Sequence, residues 1–592
     1  MRFPCPNLLT AKLARTKPIF LSGLIVLTLL AQSHSFAQND PRVKVNIGVD
    51  GNYKARTWAT VALEIDPEIA NMAPVDVVLT ISQRQGHEVK TLRHYSASLS
   101  SHHGDAAAEL SIPIYLTPNS NYIILQISKD GRRLLQQAHF LERLERGRET
   151  FVLVLTSQPE SFNIIPSIKM RYDIKTMFLS PSSLGKDWTF YHALECVIVD
   201  NVKLSSLTAE QFDAFASWLY RGGNVVFTSA GLDANASDQR LKSLSGFEYS
   251  GRRTIMSPYA LAAFCDEGPD SIERLDSLEI AAENRDIFLK TQETPLILRH
   301  EAGIGFLWAL TFDPQEISLK DRSRSDPIVR KIWTTILERC KRNEGSVSWN
   351  ESVAEAPQTK MQNVFGPVAV YLIVLVVVLG PINYALLRKL DRREFILLTI
   401  PVVTLLLGIG AFCAGLSLKG DKAIKVTRAV TVGKAGDTVF DHRRYVGVLS
   451  PRKGLFQLSA LETDGHIPHV VDPIMVTSWD EVKKVGRFPL QMRYFGDRVK
   501  VSDIEIPMWG MKFLEFQSVA KHADAISCSL NLEHGVLTGR IESALPFPLK
   551  QCFIVSRHNK VSLGALEPRS GKDFELRILP PPSLDGIRLT AY

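Results

Sequence analysis

The histidines and cysteines carry most of the chemistry that this sequence offers. His466-Ile467-Pro468-His469, with Asp472 close behind, has the residue types of a metal site. Such ligands must converge tetrahedrally on a zinc ion, and Pro468 breaks the helix that would align them. His102-His103 stands in the polar run SSHHGD with no further ligand at zinc spacing, which reads as a solvated loop tip. The 7 cysteines include no C-x-x-C pair. Cys196 opens an apolar run and reads as core. Cys528 and Cys552 fall in two strand-like segments. An oxidising compartment would permit a bridge between them, and two buried thiols are the other reading. Neither a phosphate-cradling G-x-x-x-x-G-K-[ST] nor an H-E-x-x-H helix occurs. No metal or organic cofactor is indicated.

These residues must be positioned by a chain of 592 residues, long enough for three or four domains. Hydrophobic residues make up 45% and charged residues 22%, which excludes disorder for the bulk of the chain. The net charge is +7, but Arg2, Lys12, Arg15 and Lys17 contribute more than half of it and residues 1–37 hold no acidic residue. Nucleic-acid binding needs a clustered basic face, and none is visible. Residues 1–37 read as a signal peptide. A basic start precedes the apolar run Ile19–Ala31, and Ser35-Phe36-Ala37 supplies small residues for cleavage after Ala37.

Residues 38–148 alternate as half-buried strands, with turns at Asp50-Gly51-Asn52 and Lys129-Asp130-Gly131, and predict a β-sandwich. Residues 149–342 change character. The continuous apolar runs Phe151–Leu155 and Cys196–Val199 predict strands buried on both faces. Ser205–Tyr220 has helical spacing, with Thr208 and Gln211 placed as a capping box and Gly222-Gly223 as its stop. Val225-Val226-Phe227 follows as the next strand. Strand, helix, strand predicts an α/β domain with a mostly parallel sheet. Pro327–Arg342 predicts a closing amphipathic helix. Residues 343–363 are a polar linker, and residues 419–592 return to β pattern as one or two modules outside the membrane, with one short helix near Asp480–Gly486.

Between them, residues 364–418 hold two apolar runs, Gly366–Leu387 and Phe395–Leu418, without a charged residue. Each is long enough to span a bilayer. The intervening loop 388–394 carries Arg388, Lys389, Arg392 and Arg393, which marks it as cytoplasmic. Lys419, Lys422 and Lys425 after the second run would suit the same face and argue the other way. Exported flanks and a cytoplasmic loop form a transmembrane hairpin at an inner membrane, with most of the chain on the periplasmic side. Pro381 and Pro401 within the spans call for repair of lost backbone bonds by a neighbouring helix. No ionisable residue lies at mid-depth, which argues against a transport path.

The stretches Gly380-Pro381-Ile382-Asn383-Tyr384 and Trp218…Arg221-Gly222-Gly223-Asn224-Val225-Val226 resemble a loosely defined group of bacterial envelope proteins. These have a signal peptide, a β-sandwich, a domain similar to class I glutamine amidotransferases, a two-helix membrane hairpin and a C-terminal β domain. Members often accompany MoxR-type ATPases and von Willebrand A-domain membrane proteins, and the group has no assigned activity. The resemblance implies a nucleophilic Cys on a G-x-C-x-G elbow. Here the segment reads Phe227-Thr228-Ser229-Ala230-Gly231, with no Cys and with Phe227 where the first Gly belongs. The His-x-Glu pair is absent as well, since His300 and Glu301 are adjacent. The domain is therefore read as catalytically empty, with Asp200, Ser229 and Asp233 near a ligand pocket at the strand ends. The resulting expectation is a non-enzymatic, membrane-anchored scaffold that binds envelope proteins. The alternative is a degenerate hydrolase-like sensor for a small molecule or glycan.

Overall fold

A computed structural model describes residues 40–577, apart from 86–87, 101–105, 119, 142–148, 269–270, 282–285, 320–324, 341–369, 391–394, 419–423, 433–438, 451, 462–467, 472–489, 496–497, 508–509, 522–525, 535 and 556–559. The signal segment, His102-His103, the linker, Asp472 and the expected helix near 480–486 lie outside the described residues. So do most of the loop 388–394 and part of the 466–469 cluster.

The first seven strands are β1 (Val43–Ile47), β2 (Thr57–Ile65), β3 (Val75–Gln85), β4 (Glu88–Leu99), β5 (Ala108–Leu116), β6 (Tyr122–Lys129) and β7 (Arg132–Phe140). Next come β8 (Glu149–Leu155), β9 (Asp173–Phe178), β10 (Cys196–Val199), β11 (Asn224–Phe227), β12 (Glu248–Met256), β13 (Ile272–Ala281), β14 (Ile287–Thr291), β15 (Thr294–Ala302), β16 (Gly305–Leu310) and β17 (Ser318–Leu319). Beyond the apolar helices run β18 (Ile424–Val432), β19 (Val439–Ser450), β20 (Gly454–Leu461), β21 (His469–Val471), β22 (Leu490–Tyr494), β23 (Arg498–Ile506), β24 (Gly510–Lys521), β25 (Ile526–Glu533), β26 (Val536–Ser543), β27 (Leu549–Val555), β28 (Lys560–Leu566) and β29 (Gly571–Arg577). The fold is thus multidomain and rich in β-sheet.

The chain divides into two compact units, and neither is continuous in sequence. The first takes the stretch up to Gly147 together with Phe456–Ala460 and Ser478–Ile504. One of its sheets has the order β1-β2-β5, and the other the order β20-β23-β22-β4-β3-β6-β7. Tyr115 N–H donates to Tyr95 Oη at 3.1 Å and so ties β5 to β4 across the two sheets. The hairpin from β6 to β7 turns through Asp130 and Gly131, at φ 49° and 75°. Both angles suit a type I′ turn, which matches the twist of the flanking strands. In the second sheet β22 lies parallel to β4, with Leu490 to Arg493 opposite Arg93 to Ser96. The far side of β22 pairs antiparallel with β23. Strands from beyond the apolar helices thus complete the sheet begun by residues 75–140. The sequence expectation of separate modules after residue 419 differs from this, because alternation marks a strand without naming its neighbour.

The second unit takes Arg148–Leu455, Leu461–Thr477 and Glu505–Tyr592. Its main sheet has the order β14-β15-β16-β11-β10-β8-β9. The pairs β8–β9, β8–β10, β10–β11 and β11–β16 are parallel. Strands β14 and β15 extend it antiparallel. Burial on both faces explains the unbroken apolar runs: Val152–Leu155 and Cys196–Val199 are at most 1% exposed. Helix α1 (Ala209–Tyr220) links β10 to β11, and α2 (Ser229–Ala234) follows β11. Helix α3 (Gln239–Ser245) and α4 (Tyr259–Phe264) come next. Helix α5 (Ser325–Arg339) sets Ile328, Ile332, Trp333 and Ile336 into the core.

Both halves of the expected capping box form at α1. Gln211 N–H donates to Thr208 Oγ1 at 3.2 Å, and Thr208 N–H to Gln211 Oε1 at 3.0 Å. Gly222 follows at φ +101°, where a side chain would strain the backbone. Thr208→Ala is expected to cost about 1 kcal/mol, read as a shift in the urea midpoint at unchanged slope.

Two apolar helices separate the strands that build the units. Helix α6 runs from Val370 to Lys389 and is the described helix long and apolar enough to cross a membrane. A π-helical turn, Val378–Ile382, contains Pro381. Proline clashes with the carbonyl four residues earlier, and the wider turn relieves this. Helix α7 (Ile396–Leu418) contains a shorter apolar stretch, Leu397–Gly410. Tyr371 Oη donates to Leu407 O at 2.8 Å and Asn383 Nδ2 to Thr399 Oγ1 at 3.1 Å, so the two helices are in contact.

Candidate functional site

The parallel strands of the second unit stand in the order 2-1-3-4-5 when numbered along the chain. The chain leaves β8 on one side to make β9 and returns on the other to make β10. Ligands of open α/β sheets bind outside the carboxyl ends at such a switch. Here those ends are Thr156-Ser157 after β8 and Asp200-Asn201 after β10, with Thr228 following β11.

Asp200 is the centre of this edge. Thr156 Oγ1 donates to its Oδ2 at 2.7 Å, and Thr228 Oγ1 to its Oδ1 at 2.6 Å. The backbone N–H of Asp200 donates to Leu155 O at 2.8 Å, and Asn201 Nδ2 to Ser157 Oγ at 3.3 Å. Each carboxylate oxygen thus accepts from a hydroxyl of a flanking strand end, and the polar groups at the switch bond to one another. Asp313, just beyond β16, is half-buried, and burial raises its carboxyl above the ordinary value. Gln315 N–H opposes that rise, while Glu316 and Asp200 add to it. Together these form an acidic strand-end edge held in register by hydroxyls.

Ser229 opens α2 behind the N-cap Thr228, whose Oγ1 accepts from Gly231 N–H. A Cβ on Gly231 would lie 2.2 Å from Val199 O, so glycine is needed where α2 meets the end of β10. Ser229 is not among the residues with positive φ, so the strained turn of a nucleophile elbow is missing. No hydrogen bond joins it to a histidine among the described residues. Asp233 makes an exposed pair with Arg252 at 2.8 Å. Of the three expected ligand residues, only Asp200 has a built environment. Sequence reasoning missed Thr156, Thr228 and Asn235. Asn235 donates to Val202 O and Gly231 O and accepts from Leu204 N–H, which locks the loop after β10 onto α2. A threonine directly after the apolar runs of β8 and β11 was the available signal for Thr156 and Thr228.

His469, at the start of β21, is buried. Its Nε2 lies 3.1 Å from Asp187 Oδ2, and its ring stands edge-on to Trp188 at 5.3 Å. Burial works against ionisation of Asp187, but the His469 charge and the Thr189 N–H and O–H donors outweigh it and hold the carboxyl far below its ordinary range. Beside this pair, Arg221 lies 3.5 Å over the Trp188 ring. Arg221 Nε also pairs with Asp441 Oδ1 at 2.8 Å, both side chains being at most 3% exposed. Arg443 Nε takes the other oxygen of Asp441 at 2.8 Å. This charged lock joins α1 and the Asp187–Tyr191 turn to β19 and β21, which come from beyond the apolar helices.

A cavity of about 250 Å³ is lined by Tyr220, Lys242, Ser245, Phe247, Asp286 and His300, with His300 Nδ1 at 3.0 Å from Asp286 Oδ2. His300 lies opposite Leu307, three residues before the end of β16, and so is engaged away from the switch. Cys528 and Cys552 are both thiols, on strands of two different sheets. Cys528 lies opposite Ile541 of β26, and Cys552 lies opposite Gly564 of β28. No group of three or more metal-ligating side chains occurs among the described residues.

No family model matches the chain, and no curated protein does. Among solved structures, the exo-β-1,4-mannosidase Op5Man5 from Opitutaceae bacterium strain TAV5 aligns at 14% identity with a TM-score of 0.23. The alignment covers 33% of this chain and 37% of the mannosidase, little more than a third of that protein's length.

Proposed function

We propose that this chain is a non-enzymatic envelope protein, anchored by a transmembrane hairpin over residues 364–418. Its domains on the periplasmic side serve as a scaffold for other envelope proteins. One observation carries the topology: each compact unit is built from chain on both sides of the apolar helices. In the first, β22 pairs with β4. In the second, Asp441 pairs with Arg221. Strands joined by backbone hydrogen bonds occupy one compartment, so the chain between them crosses the bilayer an even number of times. Two crossings would put the loop 388–394 on the face opposite the two units, and its four basic residues support that face being the cytoplasmic one.

The reading as a scaffold is supported by how the strand-end edge is used. Both oxygens of Asp200 are engaged by threonines of the same sheet. An activated nucleophile needs a base within hydrogen-bond reach, and Ser229 has none among the described residues. The strand order is in keeping with an amidotransferase-like domain that has lost its chemistry, and with the envelope group which the sequence resembles. The same closed edge favours the scaffold over a small-molecule sensor.

The test is a pair of reporter fusions. Alkaline phosphatase joined after Tyr592 should be active, and the same enzyme joined after Arg393 should be silent. Fluorescence at Tyr592 from a reporter that matures only in the cytoplasm would overturn the topology and the scaffold reading with it.

A further inference from the structure

The core of the second unit holds two thiols that the topology brings together from opposite ends of the domain. Cys196 opens β10 and Cys340 follows α5, the last described residue before the chain runs on to the apolar helices. They are 0% and 1% exposed and belong to one apolar cluster. Asn224 places their backbones. Its Nδ2 donates to Cys340 O at 2.7 Å and to Glu195 O, the carbonyl just before Cys196, at 3.0 Å. The two carbonyls therefore converge on one amide nitrogen, one belonging to Cys340 and the other to the residue before Cys196, and the two side chains are close enough for Cys340 to bear on the Cys196 thiol.

We infer that Cys196 and Cys340 form a disulfide that staples the membrane-proximal end of α5 to the start of the central strand β10. This rests on the export of residues 149–342 proposed above, because such bonds persist only in an oxidising compartment. Each thiol loses one proton and one electron, and the two sulfurs join. The electron pair passes to the disulfide of an envelope thiol oxidant, which leaves as a dithiol. Oxidation must precede closure of the core, since burial and the neighbouring Cys340 push the Cys196 thiol well above its ordinary value and so suppress the reactive thiolate. Once enclosed, the bond is shielded from reductants for the same reason.

The test uses the full chain in its own cells. Thiols are trapped with N-ethylmaleimide under denaturing conditions, before and after reduction, and the peptides are identified by mass spectrometry. The expected result is one linked species, 2 Da lighter than the two thiol peptides together, with both cysteines alkylated only after reduction. In Cys340→Ser the linked species should vanish and Cys196 should become alkylatable without reductant. Unfolding, reducing and refolding the purified chain in reductant should also lower its melting temperature by on the order of 10 °C. A separate variant, Glu210→Cys, places a thiol on the exposed first turn of α1 for labelling by a membrane-impermeant maleimide. Free Cys196 and Cys340 with Glu210→Cys labelled from outside would overturn the staple and leave the export standing. Free thiols with Glu210→Cys protected in intact cells would overturn the export and the staple with it.

Discussion

Arg221→Met is expected to destabilise the second unit by about 3–5 kcal/mol. The side chain is 3% exposed and its partner Asp441 is 2% exposed. Removing the guanidinium leaves a carboxylate in the interior with Arg443 alone to balance it. It also strips the cation from the face of Trp188, a loss worth about 1–2 kcal/mol at a desolvated site. Asp441→Leu alone should cost a similar amount, because it strands Arg221. The double substitution Arg221→Met with Asp441→Leu should cost clearly less than the two single costs combined. It removes both buried charges together, and Arg443 is 35% exposed and can turn to water or to Glu515. Urea denaturation of the purified chain measures all three. Additive costs would mean that the pair does not couple, and a single cost under about 1 kcal/mol would mean that the charges are not confined as described. Because Asp441 lies beyond the apolar helices, loss of the pair should also loosen α1 in hydrogen exchange, although the substituted residue is 220 positions away in sequence.

The second large effect concerns the first unit. Met492→Asp is expected to cost on the order of 4 kcal/mol, because it places an unpaired charge in the middle of a seven-stranded sheet. Met492 is 1% exposed, and it lies opposite Tyr95 on one side and Val501 on the other. The neighbouring Gln491 is exposed on the opposite face, so Gln491→Asp should change stability by no more than about 0.5 kcal/mol. The informative readout is where protection is lost. Hydrogen exchange should rise in β3 and β4, within residues 75–99, as well as around the substitution. If exchange rises only within residues 490–506, the two segments do not share a sheet, and the even number of membrane crossings loses its support.

What local chemistry controls was legible from the residues alone. Alternation marked residues 38–148 as strands, and in β6 nearly every second residue is indeed buried, since a half-buried strand repeats every second residue wherever it pairs. Unbroken apolar runs placed β8 and β10, which are covered on both faces. The capping box and Gly222 bounded α1, because N–H groups left over at a helix start and a carbonyl end must be satisfied nearby. The two apolar helices followed from length and charge. Other features depended on partners remote in sequence. Leu490–Tyr494 reads as a strand whether it joins a new module or slots beside β4, and only matching edges and a shared core select β4. Asp200 could be placed at a strand end, but Thr156 and Thr228, which occupy its oxygens, arrive from strands fixed by tertiary packing. His469 has a histidine and an aspartate close by in sequence, and the structure adds Asp187 and Trp188, which come to it from almost 300 residues earlier in the chain. Sequence determined which segments could be strands, helices and spans. The pairing of charges and edges across hundreds of residues was decided by burial, which rewards only those partners that leave no charge or backbone group unsatisfied in the interior.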